Sequence, residues 1–191
     1  MYNLYTNYKK EAFIVKNIVV ISSSPRTDSN SEHLCREFIR GAEEAGNHVE
    51  LIRLREKKIG YCNACYACRK LGRCVIEDDA NEIGAKLTKA DVIVFATPVY
   101  FYSMSGQLKV LIDRLLPFYL QIKADIYIFA TAWDPELKNL LPTVEAIRGC
   151  TRDCFEHCTE KGVIAVGDVY FPGEIEGREE LKKAYEMGKN A

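Results

Sequence analysis

The sequence predicts an α/β fold in three layers, a doubly wound sheet of five parallel strands covered by helices on both faces. Two observations predict it. Five short apolar runs rich in β-branched residues alternate with segments of helical period. Those runs are apolar nearly throughout, which marks strands buried on both faces and joined by right-handed helical crossovers. No repeat, low-complexity tract or linker interrupts the order. Residues 1–191 are therefore read as one domain, with 1–14 as an N-terminal extension.

The first strand is "KNIVVISSS" (16–24), which ends in small hydroxylic residues and feeds a loop. A helix follows in "SNSEHLCREFIRGAEEAG". Ser29 and Glu32 stand at capping-box spacing, Leu34, Phe38 and Ala42 keep the apolar stripe, and Gly46 suits the C-terminal stop. "HVELIRL" (48–54) is the second strand. After a cysteine-rich interruption, "DDANEIGAKLTKA" reads as a helix and "DVIVFATPVY" as the third strand. The remainder reads as a helix in "SGQLKVLIDRLL", a fourth strand in "ADIYIFATA", a long helical segment from about Pro135 to Glu160, a fifth strand in "GVIAVGDVYF" and a closing helix in "EGREELKKAYEMG".

Composition narrows the partner. Lys and Arg (26) nearly balance Asp and Glu (27), so no global field favours nucleic acid or an anionic membrane, and a small molecule is expected. No apolar run approaches the roughly 20 residues of a membrane span, and the start "MYNLYTNYKKEAF" has no apolar signal-peptide core, so a cytoplasmic location is expected. In that reducing compartment the eight cysteines point to metal binding, redox chemistry or plain burial.

Open α/β sheets bind ligands beyond the carboxyl ends of their strands, where the strand order reverses, which singles out the loops after strands one, three and four. "SSSPRTDSNS" (22–31) joins the first strand to a helix start. Its hydroxyls, the free helix N–H groups and Arg26 suit a phosphate monoester, although serines in such turns also serve only as helix caps. Lacking glycine, the loop favours a mononucleotide over a dinucleotide. An anion loop built around a catalytic thiolate needs Cys-x5-Arg, a spacing that occurs nowhere in the chain. "TPVYFYSMSGQLK" (97–109) supplies an aromatic wall for a flat ring, and "TAW" (131–133) brings the only tryptophan to the same rim. Taken singly, these aromatics equally suit core or subunit-interface packing.

"SSPRTDSNS", followed far downstream by "TPVYFYSMSGQLKVLIDR", resembles the NADPH-dependent FMN reductase family of flavodoxin-like proteins, over about residues 16–170. The resemblance implies strand order 2-1-3-4-5, non-covalent FMN, and NAD(P)H as a transient donor. Carried over, Ser24, Arg26, Ser29, Asn30 and Ser31 would hold the FMN phosphate. Pro98, Val99, Tyr100 and Phe101 would lie against the isoalloxazine, with Ala132 and Trp133 as further contacts. The flavin does the chemistry, so no catalytic side chain is required, and His33, His48 and His157 are assigned no role. Ser23 replaces a glycine usual in relatives, and Tyr102 takes a position often held by a small residue.

Cys62, Cys65, Cys68 and Cys74 form a Cys-x2-Cys-x2-Cys-x5-Cys pattern that resembles the compact motif of the iron-sulfur flavoprotein subgroup, which implies a 4Fe-4S cluster beside FMN. A zinc site is less apt, because structural zinc usually takes two ligand pairs from separated segments. Many FMN reductases keep similar cysteines without a cluster, and Ala64 stands where relatives have glycine. Cys150, Cys154 and Cys158 fall at i, i+4, i+8 in the long helical segment and, with Cys35, are read as buried or incidental thiols. The expected function is an FMN-dependent oxidoreductase passing electrons from NAD(P)H or a protein donor to an unidentified acceptor. The alternatives are a 4Fe-4S electron carrier or a non-enzymatic flavin-binding module. The resemblance also implies a homodimer or homotetramer with a small-molecule or protein redox partner such as ferredoxin, and no nucleic acid or membrane.

Overall fold

The structure, a computed structural model, describes residues 14–191. In chain order its elements are β1 (Asn17–Ser22), α1 (Asn30–Glu44), β2 (His48–Arg53), α2 (Cys68–Leu71), α3 (Asp79–Leu87), β3 (Val92–Tyr100), β4 (Ser103–Met104), α4 (Gly106–Arg114), β5 (Asp125–Thr131), α5 (Leu141–Thr151), β6 (Thr159–Val166) and α6 (Glu179–Lys189). The sheet runs β2-β1-β3-β5-β6 with every neighbouring pair parallel. Counted among the parallel strands alone, this is the expected 2-1-3-4-5 order. The unexpected β4 is an antiparallel arm on the end of β3. Among the described residues no helix is long and apolar enough to cross a membrane.

Period-two geometry explains why the strands are apolar throughout. Val19, Ile21, Ile93, Phe95, Ile126 and Ile128 enter the core beneath α3, α4 and α5, while Ile18, Val20, Val92, Val94, Tyr127 and Phe129 enter the core beneath α1 and α6. Each large side chain so buried contributes about 1.5–3 kcal/mol of transfer free energy. On the second face α1 and α6 touch backbone to backbone. A Cβ on Gly41 would overlap the Tyr185 carbonyl and meet Lys189 N at 2.9 Å, and one on Gly188 would overlap the Phe38 carbonyl.

The start of α1 makes half of the expected capping box. Ser29 is the N-cap, its Oγ accepting from Glu32 N at 3.3 Å. The Glu32 side chain does not return the bond. It lies fully buried and accepts from Arg53 Nε at 2.9 Å, Arg55 Nη1 at 2.5 Å and Arg36 Nη2 at 3.2 Å. Burial pushes the Glu32 carboxyl up, but the hydrogen bonds and charges of Arg55 and Arg53 outweigh it and hold the group below the usual carboxylate range. The folded-state value is depressed, so the junction's stabilisation is complete above the ordinary value of 4.5 and is lost as pH falls through the lower folded value. Glu32→Gln is therefore expected to be less stable at neutral pH, with stability falling less steeply than wild type between about pH 5 and pH 3. Urea unfolding across that range checks this, and parallel pH profiles would refute it.

The chain departs from expectation between Pro135 and Glu160. A short 3-10 turn (Leu137–Asn139) precedes α5, and α5 ends at Thr151. The backbone then turns back, with Phe155 N donating to Cys150 O at 3.0 Å and the Phe155 ring entering the core. β6 starts early, at Thr159, where Thr159 N donates to Ala124 O at 3.1 Å. Cys150, Cys154 and Cys158 thus do not share one helical face, and His157 lies in the connecting loop rather than in a helix. Cys35 is fully buried, and the Cys150 thiol is pushed up to about 12, chiefly by burial, with Cys154 and Cys158 adding to it.

Candidate flavin cleft and cysteine loop

One cleft opens beyond the carboxyl ends of β1, β3, β5 and β6. Ser24, Arg26, Ser29 and Asn30 line it from the first loop, Pro98, Val99 and Tyr100 from the end of β3, and Thr131, Ala132 and Trp133 from the end of β5. Val169 and Tyr170 complete it from the loop after β6. Nine of the eleven expected contacts meet there; Ser31 and Phe101 are outside the lining. Thr131 belongs to the "TAW" rim that the sequence places after the fourth strand. Val169 and Tyr170 are additional to the sequence expectation, and their signal is the end of the fifth strand, which obeys the same strand-end rule as the others. The apolar pattern carries that strand through Phe171, but β6 stops at Val166. Gly167 follows, where a Cβ would overlap the Asp134 carbonyl, and Asp168 is left-handed at φ 57°.

At the α1 end of the cleft, Ser24 Oγ accepts from Arg26 N at 3.2 Å. Among the described residues the Asn30 and Ser31 N–H groups have no protein acceptor, so the first turn of α1 presents free donors with the positive end of its dipole. Asn30 has other work: Nδ2 donates to Phe171 O at 2.9 Å and Oδ1 accepts from Ile175 N at 3.3 Å, which ties the loop after β6 to α1. Ser31 is buried beside Ser29, their Oγ atoms 3.4 Å apart. The Arg26 guanidinium donates to the Tyr170 carbonyl and lies 5.5 Å from that ring's centroid, bridging the two sides of the cleft.

Ser23 is absorbed without distortion. Its Oγ donates to Ala96 O at 2.9 Å and accepts from Ser105 Oγ at 2.9 Å, locking β1 to the end of β3 and the start of α4. Phe101 and Tyr102 are the two central residues of a hairpin turn pairing Tyr100 with Ser103, and both are left-handed, at φ 50° and 59°. A two-residue turn with both centres left-handed ordinarily carries Asn-Gly. Here it carries aromatics, with Phe101 fully exposed and Tyr102 more than half exposed.

The cysteine stretch lies between β2 and α3. Cys62 and Cys65 are exposed, Cys68 and Cys74 half-buried, and all four are free thiols. Among the described residues no three metal-ligating side chains are drawn together. The backbone is nevertheless shaped. Ala64 and Tyr66 are left-handed at φ 54° and 55°, on either side of Cys65. Left-handed residues build the amide nests found at iron-sulfur sites, and they are costly for any residue but glycine. A glycine at position 64 would adopt this conformation without strain, and alanine adopts it here. Four thiols from one loop of this shape are a donor set that fits a 4Fe-4S cluster.

A second hollow of about 500 Å³ lies between α4 and α5, lined mainly by apolar groups such as Ile112, Leu116, Tyr119 and Phe155. The first cleft, in contrast, combines free helix-start donors, hydroxyls and a flat apolar wall.

Comparison with known proteins places these features in a family. The chain is 41% identical over 100 residues to an iron-sulfur flavoprotein of Methanocaldococcus jannaschii, a match covering 52% of each chain. It is 32% identical over 177 residues to an iron-sulfur flavoprotein of Archaeoglobus fulgidus, covering 89% of this chain and 76% of that one. Other curated iron-sulfur flavoproteins are matched over about half their length. In fold, it superposes on an azoreductase from Bacillus anthracis with a TM-score of 0.74 at 15% identity, covering 93% of this chain and all of that one. An NAD(P)H:quinone oxidoreductase from Methanothermobacter marburgensis gives a TM-score of 0.69 at 19% identity, covering 93% of this chain and 96% of that one. Residues 16–133, which contain the first loop, the cysteine loop and the β3 wall, match the family model described as NADPH-dependent FMN reductase. The chain belongs to the NADPH-dependent FMN reductase family.

Proposed function

We propose that the chain is a single FMN-binding domain and an FMN-dependent oxidoreductase, passing electrons from NAD(P)H or a protein donor to an acceptor. The observation that carries this reading is the convergence, in one cleft, of the α1 N-terminus with Ser24 and Ser29 and of the Pro98–Tyr100 wall with Ala132 and Trp133. In this reading the free N–H groups of Asn30 and Ser31 and the two serine hydroxyls hold the phosphate. Pro98, Val99 and Tyr100 support one edge of the ring, and Ala132 and Trp133 face another. When bound, FMN supplies hydride and single-electron chemistry at its ring. The protein's part is to orient the ring and leave one side open to a donor.

Six exposed aromatics crowd this region, Tyr100, Phe101, Tyr102, Trp133, Tyr170 and Phe171. An apolar rim of this kind supports a homodimer or homotetramer that covers it, which sedimentation would show directly. A 4Fe-4S electron carrier is the second reading, favoured by the left-handed residues on either side of Cys65.

The decisive measurement is FMN content. Heat-released supernatant of the purified protein is expected to contain about one FMN per chain, and the holoprotein to oxidise NADH or NADPH with ferricyanide as acceptor. Protein that neither carries nor takes up FMN would remove the central claim. Stoichiometric FMN without NAD(P)H oxidation or reduction by ferredoxin would leave a binding module.

A further inference from the structure

The cysteine loop has exposed sides and a buried base. At that base Arg114, the largest fully buried side chain among the described residues, pairs in bidentate fashion with Asp78, Nη1 to Oδ2 at 2.8 Å and Nη2 to Oδ1 at 2.9 Å. The same guanidinium donates to Gly60 O at 2.7 Å, where the loop enters, and to Ile76 O at 3.2 Å, where it leaves. Asp78 accepts from Gly60 N at 2.8 Å and caps α3 through Ala80 N at 3.1 Å. Asn81 closes the exit, accepting from Cys74 N at 2.9 Å and donating to Cys74 O at 3.1 Å and Ile76 O at 3.2 Å. The backbone at both ends of the loop is thus held chiefly by Asp78, Asn81 and Arg114, with Asp79 pairing with Lys58 just before the entry.

One donor is left over. Arg114 Nε is buried without a hydrogen-bond partner, and an unpaired buried N–H ordinarily costs about 1–3 kcal/mol. Cys74 stands two residues before Ile76, whose carbonyl the same guanidinium holds at the loop exit. Burial acts against the charged guanidinium, Asp78 outweighs that effect, and Cys74 adds a smaller attraction. A thiol is a weak acceptor, whereas a thiolate on a cluster is a strong one.

We propose that Arg114 is the positioning residue of the cysteine loop, its Nε–H reserved for the sulfur of Cys74 when that thiolate ligates a cluster. This rests on the second reading above, that the loop holds a 4Fe-4S group. Asp78 orients the guanidinium, Asn81 fixes the Cys74 backbone, and Cys74 becomes the one ligand held rigidly from the protein interior. Such a bond stabilises the reduced, more negative cluster and raises its potential.

The test uses the full-length protein, loaded with FMN and reconstituted with iron and sulfide without oxygen. The paired variant Asp78→Asn with Arg114→Gln removes the donor and both buried charges together, which leaves no uncompensated ion. Relative to wild type, it is expected to keep its FMN affinity, lose iron to a chelator about 10- to 100-fold faster, and show a more negative cluster midpoint potential. A variant that binds FMN and matches wild type in iron retention and potential overturns the assignment. Wild-type protein that takes up FMN but no iron overturns the cluster reading, and this assignment with it. A measurement that needs no change at the loop base is the nitrogen hyperfine coupling of the reduced cluster in 15N-arginine-labelled protein carrying Arg69→Lys and Arg73→Lys. An arginine coupling is expected there, and its absence overturns the proposal.

Discussion

Alanine at Gly41 is expected to lower the thermal unfolding midpoint by about 6–12 °C, corresponding to about 3 kcal/mol in a chain of this size. The new methyl group would overlap the Tyr185 carbonyl and press on Lys189 N. Both are backbone atoms of α6, so no rotamer change relieves the clash and the helix itself must move. That movement strips cover from Phe38, Ala184 and the β1, β3 and β5 residues beneath. The same substitution at Gly149 has the opposite sign. Gly149 lies inside α5 with open space where its Cβ would be, and alanine there is expected to stabilise by about 0.5–1 kcal/mol through helix propensity alone. Calorimetry of the two variants would separate close approach from backbone entropy, and equal signs would refute the account of the α1–α6 crossing.

Aspartate at Ser29 is expected to weaken FMN binding about 100-fold while leaving riboflavin binding and folding stability close to wild type. Aspartate is as good an N-cap as serine and complements the helix dipole, so the helix start is kept. The proposed phosphate site, however, would receive a negative charge where Ser29 Oγ now sits among the free N–H groups of α1. Flavin fluorescence titrations with both ligands check this. An equal loss for riboflavin would mean that the loop had been distorted, and no loss for FMN would move the phosphate elsewhere.

Most of the sheet was legible because its physics is local. Ile18 to Ile21 and Val92 to Ala96 need burial on both faces, and a continuous apolar run states that requirement directly. The first cleft followed from strand order plus the hydroxyls after β1. Less could be read where contacts between distant segments decide. Nothing in "TRDCFEHCTEK" breaks a helix by itself; α5 ends because Phe155 has a core site to fill and β6 must register with Asp125. The β4 hairpin was hidden for the opposite reason, since its turn residues are Phe101 and Tyr102 rather than the glycine or asparagine that ordinarily announce one. Glu32 stands at the helix start as expected but is paired differently, because its partners Arg53 and Arg55 lie at and just after the end of the next strand.

That aromatic turn has a consequence for design. Two side chains are held in a backbone region that costs about 1–2 kcal/mol each outside glycine, and neither is buried enough to recover the energy within this chain. A procedure that ranked sequences by stability alone would write Asn-Gly at 101–102 and report an improvement. It would also erase the exposed aromatic surface next to the proposed flavin cleft. Stability scores and functional surfaces are therefore opposed at this turn, and a redesigned variant should keep Phe101 and Tyr102 and take its gains from positions such as Gly149.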